Sequence, residues 1–264
     1  MKLLKSFRLY LKYVSVILQG AMEYKFSFLL MLVGRFILAF NGLIAISFLF
    51  SNFTQMKGYR YGDILLCFAI VQMSFALAEC FANGFNAFSG IIRRGEFDRM
   101  LLRPRSPILQ VIGTRFDIGR FGPLICSIIT LVLGIRTCTL SWNLARILTL
   151  IAMVLGGVVV FVALFMLGAS IIFFSIEDGG IMNVLTYGAK EHGKYPLDIY
   201  GSGILKFCTY LVPYALFQYY PLQYLLGKTN NWLYALCPAG TLIFLFVCYL
   251  IWRLGMRNYT SCGN

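Results

Sequence analysis

A chain of 264 residues that is 59% hydrophobic and only 12% charged has too little polar surface to coat a water-soluble globule, and its mean hydropathy of +0.78 places it in a lipid bilayer. A net charge of +13 would suit nucleic acid in a soluble domain, but the cations gather in particular loops between apolar runs, the pattern that orients membrane proteins, so nucleic acid is excluded as a partner. The 8 cysteines are scattered singly and the single histidine, His192, stands apart from them, so no metal centre is expected.

At the N-terminus Lys2, Lys5, Arg8 and Lys12 recur at helical spacing while Leu4, Leu11, Val14 and Leu18 follow another side. The pattern predicts an amphipathic interfacial helix over 1–22, cations among anionic headgroups and leucines below them. A signal peptide is the competing reading, but no small-residue cleavage site follows an uninterrupted apolar core. Apolar runs then predict six transmembrane helices at 26–50, 61–86, 108–134, 143–175, 203–222 and 232–255, each long enough for about 30 Å of hydrocarbon at about 1.5 Å per residue. Gly122 and Pro123 predict a kink in the third, and Glu177, Asp178, Gly179 and Gly180 the end of the fourth. The polar break Gly188–Tyr200, with Lys190 and Lys194, is expected on the cytoplasmic side. Pro213 bends the fifth span, and the tyrosines around Pro221 mark an outer interface with a partly re-entrant segment over 218–231. The fold class is therefore an all-α integral membrane protein forming a single transmembrane domain over 1–264. Lysine and arginine concentrate in the segments assigned inside, which puts both termini in the cytoplasm. Cys138 and Cys237 both fall near the outer face, where pairing depends on geometry.

Between the second and third spans lies a polar island at 91–107, IIRRGEFDRMLLRPRSP. It reads as a short helix: Gly95 opens it, Glu96 and Asp98 fall in the first turn, where the positive end of the helix dipole favours carboxylates, Arg103 closes the last turn, and Pro104 and Pro107 forbid continuation. Phe97 and Leu101 share one face. Such a charged helix between two spans is a place where a soluble partner can push. An ordinary basic, proline-broken loop is the plain alternative.

Five charges share a depth in the first three predicted spans, well in from their expected cytoplasmic ends: Arg35 in the first, Glu79 in the second, and Arg115, Asp117 and Arg120 in the third. Unpaired, each would cost roughly 3 kcal/mol on insertion scales, so a mutually paired cluster is expected, with Arg35 to Glu79 as one candidate bond. It either holds the inner halves of three helices together or touches cargo. Gly227, Lys228 and Thr229 spell the end of a phosphate-binding loop, but Leu222 stands where that pattern needs glycine and no strand precedes it. Asn52 heads a formal glycosylation sequon, and Gly156 and Gly157, with Ala152, offer a close-packing face on the fourth span, a weak dimer signal.

Two stretches, GEFDRMLLRPRSPILQV at 95–111 and YPLDIY at 195–200 followed by VPYALFQYYPLQYLLG at 212–227, resemble the bacterial type-2 ABC exporter permeases. The resemblance implies two six-span subunits, identical or paralogous, with a pathway at their interface, each docked on a cytoplasmic ATP-binding subunit in the cell membrane. ATP and magnesium are then expected on that ATPase, with no cofactor on this chain and no catalysis by it. It further implies that Arg94, Gly95, Glu96, Phe97, Asp98 and Arg99 form the coupling helix received by the ATPase cleft, and that 1–22 is the connecting helix. The Gly-rich stretch 177–193 departs most from the family. Spans two and five are expected to line the pathway through Gln72, Ser74, Asn83, Tyr219 and Tyr220, and their apolar, aromatic character suits an amphiphilic cargo such as a lipid, peptide or drug. A secondary transporter with Glu79 and Asp117 as proton carriers is the alternative, although the halves share no visible repeat. A membrane-embedded lipid enzyme would need a nucleophile, base or metal set that is not seen.

Overall fold

The computed structural model describes residues 2–138, 140–175 and 180–260. Glu177, Asp178 and Gly179, expected to end the fourth span, lie outside the described residues, as do the side chains of Lys2, Lys5 and Arg8. The N-terminal helix α1 (Lys2–Glu23) lies against the bundle, where Tyr10 donates to the Phe81 carbonyl (3.0 Å) and Val14, Ile17 and Leu18 cover Cys80, Phe116 and Ile118. Next come α2 (Lys25–Asn52) and α3 (Tyr61–Ala82). The stretch after α3 holds α4 (Phe88–Arg93), α5 (Glu96–Leu101) and α6 (Pro107–Gly113). A 3-10 turn (Ile118–Arg120) leads into α7 (Phe121–Thr137), followed by α8 (Leu144–Ile172).

Thereafter the helices are short: α9 (Ile181–Asn183), a π turn (Val184–Gly188), α10 (Ala189–His192), a 3-10 turn (Leu197–Tyr200), α11 (Ser202–Tyr210), α12 (Tyr214–Phe217) and α13 (Tyr219–Leu225). The chain closes with α14 (Leu233–Leu236) and, through a 3-10 turn, α15 (Thr241–Arg257). Among the described residues five stretches are long and apolar enough to cross a membrane: 25–52, 61–82, 118–137, 144–172 and 233–257.

Helix α3 is apolar on every side, which only a helix enclosed by others tolerates inside a protein. It is the central element, with 83% of its most apolar window buried against 11% for α2, and it packs on α7 and α8 while α15 packs on α8 and α2 on α7. The Gly157 face of α8 is used inside the subunit: a Cβ there would lie 2.4 Å from Ser74 Oγ, and Ser74 donates to the carbonyls of Ile70 (2.8 Å) and Val154 (3.0 Å). Gly156 is covered by Pro238 and Phe217, so this small-residue face is internal and is no dimer seam. Cys138 and Cys237 are both free thiols.

Just past α3, Gly84 lets the chain meet α6 backbone to backbone, where a Cβ would sit 1.9 Å from the Val111 carbonyl oxygen. Gly84→Ala is expected to force the two apart and cost about 1–3 kcal/mol of overpacking. A lowered thermal midpoint in nanodiscs checks it, with Gly20→Ala, which meets nothing within 4 Å, as the neutral control.

In the second half of the chain the structure corrects two expected elements. The 203–222 stretch is no continuous helix: α11 has 9 residues, a rise of about 14 Å, and α12 and α13 turn back. Tyr214 packs on Phe161 of mid-α8, and Leu222 and Leu225 then return beside Leu66 and Met153. Nor does Gly188–Tyr200 lie at the coupling end. From the Glu79 end of α3, Tyr187 bonds Glu79 (2.6 Å), Lys190 rests over Phe75, Gly193 lies against Val71, Lys194 rests over Phe68, and Asp198 accepts from Tyr59 (2.9 Å). The segment therefore runs the length of α3. Lys190 and Lys194 misled because each flanks Glu191 and lays its stem on an aromatic ring, the behaviour of long cationic side chains at apolar surfaces.

At the far end Tyr59 is fully enclosed, accepting from Gln223 (2.6 Å) beneath the Lys228 ammonium, 3.3 Å from its ring centre. Burial first, and then the Asp198 carboxylate, push the Tyr59 phenol up, so it is a permanent donor. Lys228 also donates to the Gly58 carbonyl (3.2 Å) and Lys57 to that of Ile199 (3.1 Å). These bonds fasten the 53–60 loop, the 197–200 turn and the end of α13 into one cap.

Candidate coupling site and charge cluster

The stretch 91–107 carries the end of α4 and the whole of α5, which Gly95 opens. Gly95 takes the left-handed conformation (φ +62°) and its N–H reaches back to the Ile92 carbonyl (3.0 Å), the glycine helix stop. It ends α4 and begins α5. Arg94 and Glu96 pair across this corner at 2.7 Å, and the Arg94 hydrogen bond lowers the carboxyl of Glu96 below its ordinary range, so Glu96 is ionised at neutral pH. Beyond α5, Gln110 ties the turn shut by donating to the carbonyls of Met100 (2.9 Å) and Arg105 (3.3 Å).

Phe97 points away from solvent. It is 0% exposed, and its ring meets Phe88 (5.2 Å), Phe173 (5.5 Å) and Tyr259 (5.2 Å) edge-on or tilted. Phe88 and Phe173 in turn pack on Trp252 at 5.1 and 5.0 Å. This nest joins α4, α5, the end of α8 and α15, so Phe97 roots α5 in the bundle and cannot itself enter a partner's cleft. Next to it on α5, Asp98 is part-exposed and Arg99 exposed. Sequence reasoning missed the apolar part of that surface: Leu102 is 86% exposed beside the half-exposed Leu101.

Four of the five predicted intramembrane charges meet. Asp117 binds Arg35 (2.6 Å) and Arg120 (3.2 Å), and Arg120 also binds Glu79 (2.7 Å). The expected Arg35 to Glu79 bond is therefore replaced by Arg35 to Asp117 and Arg120 to Glu79. Asp117 further accepts the Gly119 N–H (3.1 Å), capping the 3-10 turn, and the Asn83 amide (3.4 Å). Arg115 is exposed and stays outside the cluster, lining a surface recess with Arg94 and Glu96.

The cluster sits at helix ends, since Glu79 is near the close of α3 and the predicted third span breaks between α6 and the 3-10 turn at Ile118. Charges there reach the interface cheaply. Tyr187, unpredicted, donates to Glu79 at 2.6 Å, so one network joins α2, α3, the entry to α7 and the π turn. Glu79 Oε2 is buried without a partner among the described residues.

Of the pathway candidates, Ser74 (0% exposed) and Gln72 (5%) are sealed within the subunit and have no surface with which to line a route. Asn83 belongs to the charge cluster. Tyr219 and Tyr220 are half-buried, stacking edge-on at 5.3 Å with Tyr220 near Thr209 (3.2 Å). No group of three or more metal-ligating side chains is found among the described residues.

The bundle thus carries, between α3 and α7, a short charged helix rooted in its core by Phe97. The model of the ABC-2 family transporter proteins matches residues 36–263. The chain belongs to this ABC-2 family. It is thus a multi-pass membrane protein and a permease subunit of an ABC transporter, a family that works with separate ATP-binding subunits and whose membrane subunits are generally non-catalytic. Neither curated proteins nor solved structures show a match to it.

Proposed function

We propose that this ABC-2 permease is the transmembrane subunit of an exporter in a bacterial cell membrane, with both termini cytoplasmic, pairing with a second permease and moving an amphiphilic cargo outward. Two cytoplasmic ATPases, holding ATP and magnesium, each receive α5. The observation that carries this reading is the two-sided construction of α5 and its end: Phe97 enclosed in the aromatic nest, Arg99 and Leu102 exposed, Glu96 and Asp98 part-exposed. Force applied to the outer side passes into α4, α8 and α15 through packed rings, and through α6 to Asp117 and Arg120. The sixth crossing is made by the 181–200 segment along α3, with α11 to α13 as a hairpin dipping in from the outer side.

Co-purification tests this. The tagged chain, extracted with its neighbouring gene products, is expected to bring down an ATP-binding subunit, and Glu96→Lys with Asp98→Lys is expected to release it while the permease stays folded. Should the chain emerge alone and transport survive ATP depletion yet stop when the proton gradient is collapsed, the ion-coupled reading, with Glu79 as carrier, replaces it.

A further inference from the structure

One apolar hollow in the described structure lies apart from the coupling site, on the 184–200 segment. It is a cavity of about 310 Å³ between the 184–200 segment and the α11–α12 limb of the hairpin, walled by Leu185, Leu197, Phe207, Cys208 and Phe217. Two hydrogen bonds brace its sides: Tyr214 donates to the Leu185 carbonyl, and Tyr200 to that of His192 (2.9 Å). None of the residues lining it is Lys, Arg, Asp or Glu. The polar side chains of the wall are His192, Tyr200, Tyr214 and Gln218. Gln218, 1% exposed, donates through Nε2 to the carbonyls of Gly193 (3.0 Å) and Tyr195 (2.7 Å), which fixes the amide's orientation. Its Oε1 is left buried with no hydrogen-bond partner among the described residues. Buried acceptors are satisfied in the great majority of cases, and an exception asks for the missing donor.

We infer that this cavity binds one neutral single-chain amphiphile, its alkyl chain among the apolar walls and a hydroxyl or amide N–H at its head donating to Gln218 Oε1. Volume sets the size: an engineered apolar cavity of about 150 Å³ holds one benzene ring, so twice that space takes a medium-length chain but not a two-chain lipid, and it lies at the small end of ligand pockets. The uncharged lining sets the head, because a charge would lose its hydration without a counter-ion. Val184, Ile204 and Phe207 are exposed around it, a greasy approach for a ligand partitioned in the bilayer. The inference rests on the permease reading only for the ligand's role; the site itself does not depend on where α5 docks.

The test uses the full chain in nanodiscs of two-chain lipid, free of detergent, and photolabels it with a diazirine-bearing decanol, its methyl ether and the corresponding alkane. Expected is saturable labelling of peptides within 184–218, with the alcohol about fivefold to tenfold tighter than the ether, the value of one buried neutral hydrogen bond. Cys208→Phe, which fills the cavity, is expected to abolish saturable labelling. Gln218→Leu is expected to erase the alcohol's advantage while alkane labelling persists, whereas a collapsed fold would lower both. Labelling spread over all lipid-facing helices, or an ether that binds as tightly as the alcohol to the unmodified chain, overturns the inference. Adding ATP to the assembled transporter separates two sources: labelling that falls marks cargo, and labelling that persists marks a resident ligand, the site standing in either case. Failure here would leave the ATPase co-purification result unchanged, so the two claims fail separately.

Discussion

Phe97→Ala is expected to destabilise the permease by about 3–5 kcal/mol, the range for deleting a buried phenyl ring, and to abolish ATPase-driven transport. The ring has four aromatic neighbours at one remove or less, Phe88, Phe173, Tyr259 and Trp252, so its loss leaves a hole where α4, α5, α8 and α15 meet. Thermal unfolding in nanodiscs reads the stability term. Glu96→Lys is the contrast: on the exposed rim it is expected to move stability by no more than about 0.5 kcal/mol while weakening ATPase binding. A Phe97→Ala protein as stable as the parent, losing only the ATPase, would mean that this ring enters the partner rather than the nest.

Glu79→Ala is the second large effect. It removes the partner of Arg120 and the acceptor of Tyr187 together. Breaking a buried ion pair from one side costs about 3–5 kcal/mol, and the lower end applies because Arg120 keeps Asp117 and is partly exposed, at 22%. Glu79→Gln, which can still accept from Tyr187, is expected to cost less. The functional signature is uncoupling: the assembled transporter continues to hydrolyse ATP while transport falls, since the link from the α7 entry to the π turn is cut. Equal losses of hydrolysis and transport would assign Glu79 to assembly alone.

The sequence made some of this legible and hid the rest for physical reasons. Continuous apolar runs announced α2, α3, α8 and α15, and the charge economy of the bilayer announced that Glu79, Asp117, Arg35 and Arg120 must meet. Which acid meets which base was not readable, because that depends on where helices end: the break after α6 moves Asp117 beside Arg35. The direction of Phe97 was not readable either, since a six-residue helix is too short for its periodicity to tell a buried face from a docking face. Loop charge misplaced 188–200, because Lys190 and Lys194 share the Glu191 carboxylate and lie along α3. The hairpin α11 to α13 looked like a span because an apolar run bent at Pro213 reads the same whether the chain crosses or returns. Tyr187 gave no signal, sitting in a π turn that local sequence does not mark.

The most direct test of the central claim places a photo-crosslinking amino acid at Glu96 in the assembled transporter, with Lys57, in the loop at the opposite end of the bundle, as the control position. The account predicts a nucleotide-sensitive adduct between this chain and its ATP-binding subunit from position 96 and none from position 57. An ATPase adduct absent at 96, or formed equally from 57, would contradict it.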